Sequence, residues 1–482
     1  VTTSSQRVAR SRLRSPETPS GAGESLRRLA GLAGPAGLVL LLFLQLVLWG
    51  GDRREVALAF AFFETGLFAL VLARRPRSSL NARIGEGFRV ELALFLALTG
   101  WVLLQFAPLA TGMAAGAWAE VGDAGAATLD RYATAVELAK LLGLGAVFGL
   151  GFIAAGSSRG ADGVFKAWGL AAAAYAAWSI AGYYAHGRLG VHVTGDNRLA
   201  ASFFTPNAAA GVFGISAVFG WAPLLTTVRR HLETEFRWAD GVSEGVKKAW
   251  PWALLVGVNL WAIGLTASRG GALATLIGIT ATSLALTFGS GRRLSDKGTL
   301  TVLGGAGVLL AVLSLLALAG GPLAGRLDPS RIAVTDRFAY WEVYIDRLSD
   351  LPWIGFGLGA FTRFNAFMAN SPSAGTFWEL GAMHNVYLQW IYEAGLGAVL
   401  MFTLVAVLMV RTAVRLRRLR ESRRWPATAL GVSALLLAHG LVDVDLQLVG
   451  IAALWSFLLG AGLSAGSERR RGASQTRSVR SR

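Results

Sequence analysis

Stretches of about 20 mostly apolar residues recur along this chain, and that is the length an α-helix needs to cross the hydrocarbon layer of a membrane. They lie at 31–50, 57–73, 90–108, 136–156, 164–184, 203–227, 251–267, 269–288, 298–320, 384–410, 427–441 and 446–464. Ser268-Arg269-Gly270-Gly271 interrupts what would otherwise read as one long helix over 251–288. The pattern predicts an all-α integral membrane protein of about twelve transmembrane helices. Composition agrees. Residues are 54% hydrophobic and 16% charged, against about a quarter charged in a soluble domain, which is too little charge to cover a water-facing surface. The 60 glycines suit close helix packing in lipid. Cysteine is absent, which excludes disulfides, thiolate metal sites and a cysteine nucleophile. Five scattered histidines form no evident metal cluster.

Charge placement sets the orientation. The N-terminal segment carries Arg7, Arg10, Arg12, Arg14, Arg27 and Arg28, the C-terminal one Arg469, Arg470 and Arg471, and 411–426 holds seven arginines. With twelve spans and the N-terminus inside, most of the 46 Lys and Arg residues face the cytoplasm, as the positive-inside rule requires. The net charge of +17 then needs no nucleic-acid partner. Residues 1–25 and 466–482 read as disordered basic cytoplasmic tails around a membrane domain at 26–465. The first apolar run is long for a signal peptide and lacks a clear cleavage site, so it reads as a retained helix.

Three outer loops stand out: 109–135, 185–202 and the long 321–383. A loop that long is usually functional. Within it a helix is expected over 332–349, capped by Thr335 or Asp336, with Arg337, Trp341 and Tyr344 on one face. Gly355-Phe356-Gly357-Leu358-Gly359 follows, without the strand–helix context of a nucleotide fingerprint.

Several polar residues at the outer boundary admit two readings each. Arg269 is either an interfacial anchor that snorkels to water or part of a wet site. Arg337 is either a surface ion-pair partner or an oxyanion ligand, since guanidinium groups match phosphate oxygens bidentately. His384 is a helix-start residue or a proton acceptor. Asn385, Gln389 and Glu393 continue below it at i+4 steps as a polar stripe, read as helix–helix hydrogen bonding, with Glu393 about 13 Å along the axis. Asp443-Val444-Asp445 reads as a charged hairpin between the last two spans. His439 shares a face with Asp443 if its helix runs one more turn. Arg198 precedes a Pro206-Asn207 helix start.

The segments Thr266-Ala267-Ser268-Arg269-Gly270-Gly271, Asp336-Arg337-Phe338-Ala339-Tyr340-Trp341 and His384-Asn385-Val386-Tyr387-Leu388-Gln389, in that order and topology, resemble the bacterial O-antigen ligase and polymerase superfamily. The Asn207 and His439–Asp443 segments look similar to it as well, and the resemblance covers roughly 195–465. It implies a fold like the C-type glycosyltransferases, with a large helical periplasmic loop between spans nine and ten. It also implies glycan transfer from undecaprenyl diphosphate to an acceptor hydroxyl, such as lipid A core, at the periplasmic face of the inner membrane. Neither metal nor nucleotide cofactor is expected. By this resemblance Arg269 and Arg337 hold the diphosphate, His384 accepts the hydroxyl proton, and Arg198, Asn385 and Asp443 are further substrate-binding candidates. Polysaccharide polymerase is the alternative within the superfamily. A twelve-helix secondary transporter is the alternative of another class. It would show related halves and place its decisive polar groups near the midplane, neither of which this sequence does.

Overall fold

The computed structural model describes residues 36–48, 50, 53–74, 88–120, 125–234, 237–288, 337–368, 380–419 and 423–464. Both basic tails, the apolar run at 298–320 and the proposed caps Thr335 and Asp336 lie outside them. Every apolar run within them is helical. In chain order the helices are α1 (Ala36–Val47), α2 (Arg54–Ala73), α3 (Arg89–Leu104), α4 (Gly112–Glu120), α5 (Arg131–Ala154), α6 (Ser158–Tyr184), α7 (Pro206–Thr234), α8 (Trp238–Lys248), α9 (Trp250–Thr266), α10 (Arg269–Phe288), α11 (Arg337–Asp346), α12 (Phe361–Met368), α13 (Val386–Ala394), α14 (Gly397–Arg418), α15 (Arg424–His439) and α16 (Val449–Ser464). By length and composition five of the described helices can cross a membrane (α2, α5, α7, α10 and α14), and six if the α8–α9 pair, bent by 85°, forms one span. Helices α1 and α16 are shorter apolar helices. The protein is a membrane protein.

The bundle is assembled around α7, whose apolar window is wholly enclosed by other helices. Small residues let backbones meet. Gly151 of α5 faces the Phe457 carbonyl of α16, Gly460 of α16 faces the Phe148 carbonyl, and Gly278 of α10 faces the Gly431 carbonyl of α15. In lipid, where apolar burial no longer favours helix pairing, such close contact supplies the van der Waals attraction that does.

Three features depart from the sequence reading. An antiparallel strand pair, β1 (His192–Val193) and β2 (Leu199–Ala201), lies in the 185–202 loop and is an exception to the all-α expectation. The 332–349 helix ends at Asp346 and is followed by a 3-10 turn at Leu348–Asp350. The expected span at 384–410 is two helices, because the chain breaks at Gly395 with φ 56° and ψ −129°. That break has a cause. The Leu396 N–H donates to the Trp353 carbonyl at 2.8 Å, and the Gly357 N–H to the Glu393 carbonyl at 2.9 Å, so the glycine-rich 355–359 loop is stitched onto the end of α13. Buried Gln105, the C-cap of α3, clamps both, donating to the Ile354 and Glu393 carbonyls and accepting from the Leu358 N–H. Helices α11, α12 and α13 therefore build a separate cap with its own core of Tyr344, Phe356, Phe361, Phe364, Met383 and Tyr392.

At Gly395 a Cβ would run into the Trp353 carbonyl and the Gly355 amide, at a backbone conformation that L-residues avoid. Gly395→Ala is expected to cost about 2–3 kcal/mol. The readout is a lowered thermal unfolding midpoint in detergent; an unchanged midpoint contradicts this account of the break.

The polar stripe on α13 belongs to this cap rather than to a helix–helix seam in lipid. Gln389 accepts the Met383 N–H and donates to Glu393, 2.9 Å away. Burial pushes the Glu393 carboxyl up to about 7, against the pull of the Gln389 hydrogen bond. Between pH 4.5 and 7 the folded cap keeps a proton that the unfolded chain has lost, so stability falls as pH rises through that window and stays lowered above it. Glu393→Gln is expected to flatten this dependence, with an unfolding midpoint that no longer drops from pH 5 to pH 8. An equal drop in both proteins contradicts it.

Candidate active site

One end of the bundle gathers the start of α7, the end of α9, the start of α10, the loop before α13 and the α15–α16 connection. Strain concentrates there. Among the described non-glycine residues with positive φ are Asn197, Ala201, Ala267 and His384, at 50–56°. Backbone held in this region costs energy and persists only where surrounding structure enforces it, which is commonest at functional sites.

Asp443 is the hub. It is 3% exposed and its two oxygens are fully engaged. Oδ1 lies 3.3 Å from His384 Nδ1 and accepts the Val444 N–H at 2.9 Å; Oδ2 accepts from Asn207 Nδ2 at 2.5 Å. Asn207, in the first turn of α7, is in turn approached by Arg198 Nη2 at 3.4 Å. Arg198 Nε donates to the Thr266 carbonyl at 2.8 Å, where α9 ends, and its Nη1 lies 3.8 Å from Asp196. Burial works against a charge on Asp443, but the His384 hydrogen bond, together with neighbouring His439 and the Val444 amide, outweighs it and holds the carboxyl down at about 2. Asp443 is thus a carboxylate at any physiological pH. With Nδ1 turned to that carboxylate, Nε2 is the other ring nitrogen of a His384 side chain that is 28% exposed.

Arg269 opens α10 one residue after Ser268, whose side chain caps the helix by accepting the Gly271 N–H at 3.1 Å. The first turn of a helix presents backbone N–H groups and the positive end of its dipole, so this position favours anions. Gly270 abuts the imidazole of His439, which places Arg269 beside the α15–α16 connection that carries Asp443.

The side chain of Arg337 lies outside the described residues. Its helix does not. Arg337 is one turn before Trp341, about 6 Å along the axis, and the Trp341 indole donates to the Met383 carbonyl at 2.8 Å. The helix face predicted to carry Arg337 therefore packs on the residue next to His384.

Asn385 is the N-cap of α13: its side-chain oxygen accepts the Tyr387 and Leu388 N–H groups, leaving only its amide nitrogen for a ligand. The expected charged hairpin Asp443-Val444-Asp445 does connect the last two helices, but both carboxylates are buried and each meets a histidine. Helix α15 ends at His439 instead of continuing a further turn, and His439 pairs with Asp445 at 2.7 Å rather than with Asp443. The sequence reading assigned no role to Asn207 or to the His439–Asp445 pair. An asparagine at the start of an otherwise apolar helix was the available signal for the first. For the second, the signal was a histidine and an aspartate six residues apart across a helix end.

Among the described residues no group of three or more His, Asp or Glu side chains is placed to hold a metal ion. Residues 253–403 match the family model described as O-antigen ligase. No curated protein matches the chain. The matched segment carries Arg269, Arg337, His384 and Asn385, while Arg198, Asn207, His439 and Asp443 lie beyond it and reach the site through folding.

Proposed function

From the match of residues 253–403 to the O-antigen ligase family model, we propose that this chain is a ligase of that kind: it moves a glycan from undecaprenyl diphosphate to an acceptor hydroxyl at the periplasmic face of a bacterial inner membrane. The observation that carries this reading is the contact between His384 and the Asp443 carboxylate, beside the helix start that bears Arg269. A histidine whose Nδ1–H is held by a carboxylate has Nε2 free to take a proton. The acceptor oxygen bonds to the anomeric carbon as the bond from that carbon to the diphosphate oxygen breaks. The hydroxyl proton passes to His384 Nε2, and the electron pair leaves with the polyprenyl diphosphate. Negative charge grows on the leaving group, so cations fixed near it stabilise the transition state more than the ground state. Arg269 and Arg337 take that role. Arg198, engaged with Thr266, Asn207 and Asp196, acts mainly as a brace for Asp443.

Two further observations support the reading. An apolar cavity of about 490 Å³ runs between α2, α3, α5, α14 and α16, lined by Phe68, Phe95, Phe148, Trp390, Leu446 and Trp455. Leu446 adjoins Asp445, so this cavity offers an isoprenoid chain a path that ends beside the site. The opposite end of the bundle is the arginine-rich one. Arg229 and Arg423 reach the last carbonyls of α10, and Arg424 pairs with Asp162. That arrangement supports a cytoplasmic arginine-rich end and a periplasmic site.

The test is a reconstituted assay with a polyprenyl-diphosphate glycan and lipid A core as acceptor, run with and without chelator. Modified lipid A core, insensitive to chelator, is expected. Longer polyprenyl-linked chains would instead identify a polymerase, chelator sensitivity would contradict metal-independent transfer, and absence of any glycan transfer would overturn the proposal.

A further inference from the structure

The bundle contains a second aspartate–histidine pair that the mechanism above does not use. His439 and Asp445 are each 1% exposed, with Nδ1 to Oδ2 at 2.7 Å. Asp445 sits in the 3-10 turn at Asp445–Gln447, backed by Gly211 of α7, where any side chain would collide with its carboxylate. Its other oxygen, Oδ1, is buried without a hydrogen-bond partner. A buried carboxylate in that state is costly and is usually retained for a reason other than stability.

His439 touches both halves of the site. Its carbonyl accepts the N–H groups of Val442 and Asp443, each at 2.9 Å, which fixes the turn that presents Asp443 to His384. Its ring edge, Cδ2 and Nε2, packs on Gly270 so closely that a Cβ there would stand 3.3 Å from both atoms. Gly270 follows Arg269 in the first turn of α10. With Nδ1 tied to Asp445, the ring cannot rotate away from that turn without breaking a buried hydrogen bond. On the opposite side Gly271 packs against Ala210 of α7, so the start of α10 is held between α7 and the His439 ring.

We propose that His439 and Asp445 form a positioning pair that holds the first turn of α10, and with it Arg269, in register for the donor diphosphate. The proposal rests on the glycan-transfer reading of the site. The pair touches neither donor nor acceptor. Asp445 orients the imidazole, and the imidazole edge sets where the Arg269 backbone lies.

The test uses the purified full chain, a polyprenyl-diphosphate glycan donor and a hydroxyl acceptor. The near-isosteric variant Asp445→Asn limits loss of folding; a second variant, His439→Asn, keeps a donor near the Nδ1 position but removes the ring edge facing Gly270. Each is expected to raise the donor KM about tenfold and leave the acceptor KM unchanged. In an Arg269→Lys background, where the guanidinium to be placed is already gone, each variant is expected to shift the donor KM less than about twofold, because residues acting through one another are not additive. Equal shifts in both backgrounds, a shift in acceptor KM instead, or no shift at all would overturn the proposal. Transfer by the unaltered protein is measured first. If it is absent, the glycan-transfer reading fails and this proposal with it; if it is normal and the variants behave otherwise than stated, only the positioning role is lost.

Discussion

Asp443→Asn is expected to reduce glycan transfer by about 10²–10⁴-fold while the protein remains in the membrane at normal abundance. Three donors converge on this carboxylate: the His384 ring, the Val444 amide and the Asn207 side-chain amide. Asparagine has one acceptor oxygen where aspartate has two. If that oxygen serves His384 and Val444, the new NH2 group faces the NH2 of Asn207. Turning Asn207 over relieves that clash but points its own NH2 at Arg198, which at present meets its oxygen. Whichever arrangement results, the negative charge is gone. An imidazolium at His384 then loses the partner that stabilises it once the acceptor proton has arrived. Because the carboxyl titrates at about 2, it is charged across the whole assay range, and the deficit cannot be recovered by raising the pH. The readout is single-turnover transfer with donor in excess of KM. Near-normal rates at normal abundance would remove Asp443 from the mechanism.

Arg269→Ala is expected to lower kcat/KM by about 10²–10³-fold, the usual cost of removing one donor to a developing oxyanion. Arg269→Lys should recover only part of this loss, since an ammonium on a flexible stem cannot make the paired, planar hydrogen bonds that match phosphate oxygens. The position makes the effect specific. Arg269 begins a helix whose start is already capped by Ser268, so the helix survives the substitution and its N-terminal amides stay in place. The variant should therefore keep its thermal unfolding midpoint while losing rate. A lost midpoint with proportionate loss of rate would make Arg269 a structural anchor; full rate with alanine would remove it from the site.

Much of this site was legible in the sequence because its signals are local. Arginine between two apolar runs is conspicuous in lipid, and so is histidine before an apolar run with amides and a carboxylate behind it. The helices too were legible, since a span is a length and a composition. What the sequence hid was non-local. Nothing near Gly395 says that the Leu396 amide will bond to the Trp353 carbonyl or that the Glu393 carbonyl will accept the Gly357 amide, so one expected span is two helices and the stripe beneath His384 serves a cap. Asp443 and Asp445 share one short hairpin in sequence, yet their histidines come from 59 and 6 residues away. Which aspartate takes which histidine follows from where α15 stops, and helix ends are the least certain part of any reading by periodicity. Asn207 was visible in the sequence but carried no role there for a similar reason: its partners, Arg198 and Asp443, are set by packing of α7 against the α15–α16 connection.

The central claim is that cations and a carboxylate-held imidazole surround one diphosphate at a single end of the bundle. Its most direct test is a structure of the full chain in lipid with undecaprenyl diphosphate bound. The account predicts diphosphate oxygens within hydrogen-bond distance of the Arg269 guanidinium, with His384 Nε2 facing the same space and the isoprenoid chain leading toward Leu446. A diphosphate bound at the arginine-rich opposite end, or one held away from Arg269 and His384, would contradict it.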